Sequence, residues 1–445
     1  MSKEKMFKKK ILLSAVAFLV SATAVFLLIP TESAPRFGSS GNAALVPQSQ
    51  IPFADYLAEN RRRIGQVLKD FNFLPGQEPF RGDYSLEEVV AMRAPYEFSP
   101  AASCPNVAAS HGILLIHGLS DSPYLTRQVA QELTLNFPCA LVRGLLVPGH
   151  GTIPGDMRAV NRQDWRRIAD YGVDSFAGQV ETLTLVGYSN GSAIALDYLN
   201  RHPEQSLVSG LVLVVPGLGT ASQFSWLTPW LSLVYPWLSR LPDTDAVKYE
   251  SMATHAVAEF YHFTNEVISK TGPAIDVPLL IFLSGDESTV DNNRSMAYFC
   301  EHAQSDQSRL YVFAGDGGSV FSPLCERARV LDFDVDDPRF ISFSHVALML
   351  PPDDPHYGRE GKYPICTQYL SNSERYNNCM FNAADTVYAD ATRADEDGLL
   401  RGKLIRRPTF NPKFEQMLEI MSCFIAAECR LPAAVNALEM FRVIR

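Results

Sequence analysis

Six short apolar runs bounded by turn residues recur through the middle of the 445-residue chain: Ile113–Ile116, Ala140–Val142, Leu183–Val186, Leu211–Val215, Leu279–Leu283 and Leu310–Phe313. Most are separated by stretches long enough for a helix. A strand that is apolar throughout, rather than at alternate positions, is buried on both faces, and strands joined through helices pair in parallel. The spacing therefore predicts an α/β protein with a mostly parallel central sheet flanked by helices. Apolar residues make up 47% and charged residues 20%, ordinary values for a globular chain, which excludes a disordered or fibrous one. The net charge of −10 and the lack of a basic stripe after residue 10 exclude nucleic acid as a partner.

The N-terminus points to a membrane. Lys3, Lys5, Lys8, Lys9 and Lys10 precede the uncharged run from Ile11 to Ile29. As a helix this run spans roughly 28 Å at about 1.5 Å per residue, close to the hydrocarbon thickness of a bilayer. The lysines on its N-terminal flank would stay cytoplasmic, so everything after Ile29 is expected in the periplasm or outside the cell. Residues 1–30 read as a single-pass signal anchor in the inner or plasma membrane. Small residues at Ser21–Ala24 and at Ser33-Ala34 leave a cleaved signal peptide and a secreted product as the alternative. Eight cysteines suit an oxidising compartment, and the close pairs 366/379 and 423/429 are the simplest bridges to expect.

Residues 31–50 are small and polar and read as a linker, and 51–105 as an N-terminal extension. Between Pro216 and Pro278 lies an apolar segment with three of the four tryptophans, Trp226, Trp230 and Trp237. It reads as a helical cap over a pocket for an apolar substrate, or as amphipathic helices packed on the core. Residues 351–380 are rich in Pro, Asp and Gly, and a helix is expected at about Phe414–Ala427.

The run at Leu183–Val186 passes directly into Gly187-Tyr188-Ser189-Asn190-Gly191 and then into a helical pattern. A G-x-S-x-G sequence between a strand and a helix is a sharp turn that presents the serine hydroxyl, with glycines where any side chain would clash. On this motif the chain resembles the α/β-hydrolase superfamily, bacterial carboxylesterases and monoacylglycerol lipases in particular. The resemblance covers about residues 106–350. It implies a core in two parts, 106–215 and 276–350, around a cap at 216–275. A cysteine-containing loop insertion at 351–405 and a C-terminal helix in 406–445 complete the chain.

The same resemblance implies the site. Ser189 would be the nucleophile, with the backbone N–H groups of Leu119 (in Ile116-His117-Gly118-Leu119) and Asn190 as oxyanion donors. His117 and His150, the latter in Pro148-Gly149-His150-Gly151, are expected to be structural. In the family the acid commonly lies three residues before a valine; that register picks Glu287 ahead of Val290, with Asp286 as the alternative and Asp291 as a loop residue. His345, in Ser344-His345-Val346, resembles the family's general base and follows the acid in chain order. His356, in the Pro-rich turn, is expected at the surface. These residues imply a serine hydrolase acting on small apolar esters or acylglycerol-like substrates, with no cofactor or metal. An aminopeptidase, a thioesterase and a catalytically silent binding module on the same fold are the alternatives. The sequence does not speak to the oligomeric state.

Overall fold

The computed structural model describes residues 34–427 apart from 48–50, 75–82, 105–108, 270–274, 316–324, 332–333, 383–385 and 391–401. The expected anchor and its lysines lie outside the described residues, as does Cys429. Among the described residues no helix is long and apolar enough to cross a membrane.

Among the described residues, eight strands form the central sheet. In chain order they are β1 (Tyr96–Phe98), β2 (Ala109–Ile116), β3 (Leu141–Leu145), β4 (Val180–Tyr188), β5 (Val208–Val214), and then β8 (Leu279–Ser284), β9 (Arg309–Phe313) and β10 (Ala328–Leu331). The two strands in between, β6 (Trp237–Ser239) and β7 (Met252–Ala253), pair with each other outside this sheet. The order across the sheet is β1-β3-β2-β4-β5-β8-β9-β10, and every pairing is parallel except β1 with β3. All six expected runs are strands. Leu183, Leu185, Leu211 and Leu213 point to one buried cluster while Val186, Val212 and Val214 point to the other, so both faces of the central strands are covered. That double burial is why these strands read as continuous rather than alternating apolar runs.

The helices Tyr124–Asn136, Arg162–Asp174, Asn190–Arg201 and Asn292–His302 fill the crossovers, and Phe414–Ala426 packs its buried Met417, Ile420 and Met421 into the second cluster. Two of these helices begin on side-chain caps. Asn161 accepts from the N–H groups of Gln163 and Asp164, and Asp291 from those of Asn293 and Arg294. The caps satisfy donors that have no partner within a helix.

Two expectations are corrected here. Residues 34–47 are not a free linker. Phe37 and Ala44 are buried, Ser40 bonds to the Asp156 carboxylate, and Arg36 pairs with Asp243 at 3.2 Å. The segment after Pro216 is only partly helical: it holds a short turn at Ser225–Leu227, one helical turn at Thr228–Leu231, the β6–β7 pair and then the long helix Thr254–Ser269. Its prolines and its Trp-rich run favour short pieces over long helices.

The insertion after residue 351 carries helix Ser373–Phe381 and a parallel pair, β11 (Thr386–Tyr388) with β12 (Leu404–Arg406). Cys366 and Cys379 are bridged, as expected from their spacing. Two further bridges, Cys104–Cys139 and Cys300–Cys325, join partners too far apart in sequence to be paired by inspection.

The helix Asn190–Arg201 approaches β2 closely enough that a Cβ on Gly191 would lie 2.0 Å from the Ile116 carbonyl oxygen. Neither backbone can yield without moving a central strand. Gly191→Ala is therefore expected to destabilise the protein by about 2–4 kcal/mol, read as a fall in Tm by calorimetry. An unchanged Tm would contradict this packing.

Candidate active site

Ser189 stands at the C-terminal end of β4 with φ 53° and ψ −119°, a left-handed backbone that non-glycine residues adopt only under constraint. Such a residue costs roughly 1–3 kcal/mol unless its surroundings over-determine it. They do so here. The Ser189 N–H donates to the Val214 carbonyl at 3.0 Å, and its own carbonyl accepts from Gly217 (2.9 Å) and Ser192 (3.0 Å). The Ser192 hydroxyl donates to the Gly187 carbonyl at 2.7 Å, and a Cβ on Gly187 would lie 2.4 Å from Ser192 Cα.

The hydroxyl of Ser189 is 2.9 Å from His345 Nε2, and His345 Nδ1 is 2.8 Å from the Glu287 carboxylate. A carboxylate only accepts, so Nδ1 carries the proton and Nε2 accepts from the serine O–H. Glu287 also accepts from the N–H groups of Thr289 (2.6 Å) and Val290 (3.1 Å). The valine three residues on is thus a direct partner of the acid. Burial pushes the Glu287 carboxyl up. The His345 ring and these hydrogen bonds outweigh it and hold the carboxyl below its ordinary value.

Asp286, the alternative acid, faces elsewhere. Its carboxylate accepts from the Phe343 N–H at 3.2 Å, which ties the β8 loop to the loop carrying His345. Asp291 caps the next helix. That loop is fixed further by the Tyr188 hydroxyl on the His345 carbonyl (3.2 Å) and the Ser344 hydroxyl on the Pro408 carbonyl (2.7 Å).

Leu119 follows β2 and lines the pocket beside Ser189, while Asn190 opens the helix after Ser189, where a backbone N–H has no intrahelical acceptor. Two buried histidines hold the Leu119 loop. His117 Nε2 accepts from the Val147 N–H at 2.9 Å, and His150 Nε2 accepts from the Ser120 N–H at 2.8 Å. An imidazole nitrogen that accepts from a backbone N–H is unprotonated, so both rings are neutral. Burial, with the neighbouring His150 ring adding to it, drives His117 well below its ordinary value; burial alone brings His150 down to about 4.

His356 is not at the surface, contrary to the sequence reading. It is fully buried, with Nε2 2.9 Å from Asp245 and Nδ1 2.6 Å from the Tyr84 hydroxyl. Tyr357 donates to the same Asp245, and Asp354 caps the turn through the N–H groups of His356 and Tyr357. The ring's partners come from the N-terminal extension (Tyr84) and from the cap segment (Asp245), so nothing near His356 in sequence announces its burial.

A pocket of about 310 Å³ opens over Ser189 and His345. Leu119, Met252, Val257, Phe260, Val290 and Val346 give it apolar walls, while Asp121, Lys248, Glu250 and Arg407 bring charge. Sequence reasoning missed these four. Arg407 lies far beyond the motifs and pairs with Asp390 at 3.2 Å while reaching the Thr289 hydroxyl at 2.9 Å. Among the described residues no cluster of three or more His, Cys, Asp or Glu is arranged to hold a metal ion.

Residues 113–332 match the model of the alpha/beta hydrolase family. The core of this chain is an α/β-hydrolase fold. A comparison with curated protein sequences gives no match. Among solved structures, the hydrolase core is similar to a metagenome-derived lipolytic enzyme (19% identity, 54% of this chain and 89% of the other, TM-score 0.43). It is also similar to the monoacylglycerol lipase of Paleococcus ferrophilus (18%, 49% and 87%, 0.40). A third is a soluble variant of the Saccharomyces cerevisiae monoglyceride lipase bound to a substrate analogue (16%, 49% and 81%, 0.39).

Asp121 is buried beside this hydrolase site, and its carboxyl is raised from 3.8 to about 6 by burial, opposed by Lys248 and His345 and reinforced by Asp245. A group raised in the folded state stabilises below its unfolded pKa and loses that contribution as pH rises through the folded one. Wild-type stability should therefore fall between pH 4 and 6 on account of Asp121. Asp121→Asn should gain roughly 1–3 kcal/mol over wild type on going from pH 4 to pH 7.5. Denaturant titrations at the two pH values test this, and a constant difference would contradict it.

Proposed function

We propose that this protein is a serine hydrolase that cleaves carboxylic esters through an acyl-enzyme. The observation that carries the reading is the bridging ring of His345, with one nitrogen on the Ser189 hydroxyl and the other on Glu287. His345 Nε2 takes the serine proton as Oγ adds to the ester carbonyl carbon. Charge then develops on the carbonyl oxygen, which the Leu119 and Asn190 N–H groups receive. Glu287 stabilises the imidazolium through Nδ1–H and does not itself become protonated. The C–O bond to the alcohol breaks as Nε2 returns the proton to the leaving oxygen. Water, deprotonated by the same nitrogen, then adds to the acyl-enzyme; collapse of that adduct releases the carboxylic acid and re-protonates Ser189.

The apolar walls of the pocket support a small apolar ester or acylglycerol-like substrate. The carboxylates of Asp121 and Glu250 in the same wall favour a second reading, in which a substrate amine is held there and an aminoacyl bond is cut. In either reading the catalytic domain faces the periplasm or the exterior, tethered by residues 1–30, and the bridges Cys104–Cys139, Cys300–Cys325 and Cys366–Cys379 suit that compartment.

Two measurements test the chemistry. Ser189→Ala should lose at least about 10³-fold in kcat on a fluorogenic short-chain ester with its Tm retained, and activity within tenfold of wild type would remove the assignment. Glu287→Gln should cost about 10³–10⁴-fold in kcat, and Asp286→Asn about tenfold or less, because only the former orients the His345 ring. A series of ester chain lengths, run beside an aminoacyl substrate, separates the two substrate readings.

A further inference from the structure

Twelve large apolar side chains are exposed among the described residues, and eight of them lie between Phe224 and Leu238. Leu233, Phe224 and Trp230 are 77%, 71% and 70% exposed. No charged residue occurs from Gln205 to Ser239, so this face presents aromatic and aliphatic groups without a single ion to desolvate. Exposed apolar surface of this concentration marks a contact with something apolar.

The chain itself indicates what covers it. Phe37 packs edge-on against Trp237 with ring centroids 5.1 Å apart, and Arg36 reaches Asp243 and the Pro242 carbonyl, both at 3.2 Å. The first described residues are thus fastened to the base of the exposed face. From Ile29, the end of the apolar N-terminal run, to Pro35 is six residue steps, which span about 20 Å at most. A bilayer holding that run is within this distance of Pro35, two residues before the Phe37 ring that packs on Trp237. The exposed guanidinium of Arg240 lies 5.9 Å from the Phe37 ring centroid, beside the apolar face, where lipid phosphates would meet it.

We propose that the face formed by residues 222–238 docks on the phospholipid bilayer that holds the N-terminal run, with Trp226 and Trp230 at its interface. The inference rests on the anchored reading above. Tryptophan and tyrosine favour the interfacial region, where an apolar ring meets a wet boundary, and an uncharged segment enters it at low cost. Both ends of the segment, at Thr220 and Leu241, line the pocket over Ser189. Docking sets that pocket against the bilayer, so an apolar ester reaches the serine from the lipid phase.

The test uses the full chain, purified in detergent and reconstituted into phosphatidylcholine–phosphatidylglycerol vesicles with and without a lipid spin-labelled near the head of its acyl chain. Of the four tryptophans, Trp165 and Trp237 are buried while Trp226 and Trp230 are 54% and 70% exposed, so quenching by the lipid label reads the docking face. The expected result is loss of the emission contributed by Trp226 and Trp230, with protection of the same emission from aqueous iodide. No such loss should occur in the vesicle-bound Trp226→Gln/Trp230→Gln variant. Protein that floats with the vesicles but is not quenched overturns the docking and leaves the anchor standing. Protein that does not float overturns both. Iodide protection without lipid quenching assigns the face to a second copy of the chain and overturns the proposal.

Discussion

The backbone of Ser189 is the constraint on which the site depends. A left-handed serine at the end of a buried parallel strand requires three neighbours to be in register at once. These are β5, whose Val214 carbonyl takes the Ser189 N–H, the loop after β5, whose Gly217 N–H takes the Ser189 carbonyl, and the following helix, which returns through Ser192. The helix closes over β2 only because Gly191 has no side chain. The sheet register therefore fixes the hydroxyl in space without any contribution from the serine side chain. Strain of this kind survives only where the surroundings supply more constraint than one residue needs.

Electrostatics then distributes work among groups that look alike in sequence. Asp286 and Glu287 are adjacent carboxylates at the end of β8. One accepts from a backbone N–H of the histidine loop, and the other from the histidine ring and two backbone N–H groups. A buried carboxylate with three donors stays ionised despite desolvation, whereas Asp121, which meets its nearest cation through space, is pushed towards its neutral form. Three histidines divide in the same way. His117 and His150 accept from backbone N–H groups and are neutral brackets, while His345 has its accepting nitrogen on a hydroxyl that can give up its proton.

What the sequence makes legible is local in origin. Runs apolar on both faces mark β2, β4, β5 and β8, the glycines flanking Ser189 mark the turn, and the spacing from Glu287 to Val290 marks a loop in which the valine N–H caps the acid. What it hides is non-local. Strand β1 is three residues long and gains its place from antiparallel pairing with β3, so no periodicity announces it. His356 is polar and sits in a Pro-rich turn, and only Asp245 and Tyr84, contributed by distant segments, make its burial affordable. Phe37 reads as part of a polar linker until Trp237 is brought against it. Arg407 reaches the acid loop from beyond the insertion, and no spacing rule connects it to Glu287.

That last contact bears on selectivity. The strands and the turn at Ser189 bring a hydroxyl, an imidazole and a carboxylate into line, and a fold of this kind hosts many substrates. Part of the pocket lining is built from elsewhere: Tyr363, Ile365 and Thr367 precede or adjoin the Cys366–Cys379 bridge, and Arg407 follows β12. The Tyr363 hydroxyl donates to Glu250, another wall residue, and Arg407 bonds to Thr289 in the acid loop. The insertion is therefore joined to the cap segment through Glu250, and Arg407, bridged to Ile365 of the insertion, joins it to the loop that carries Glu287. A change in the insertion alters the shape of the pocket and the support of the acid together. The shape of the pocket and the geometry of Glu287 are thus coupled through residues outside the hydrolase core, and the core motifs alone do not determine what fits.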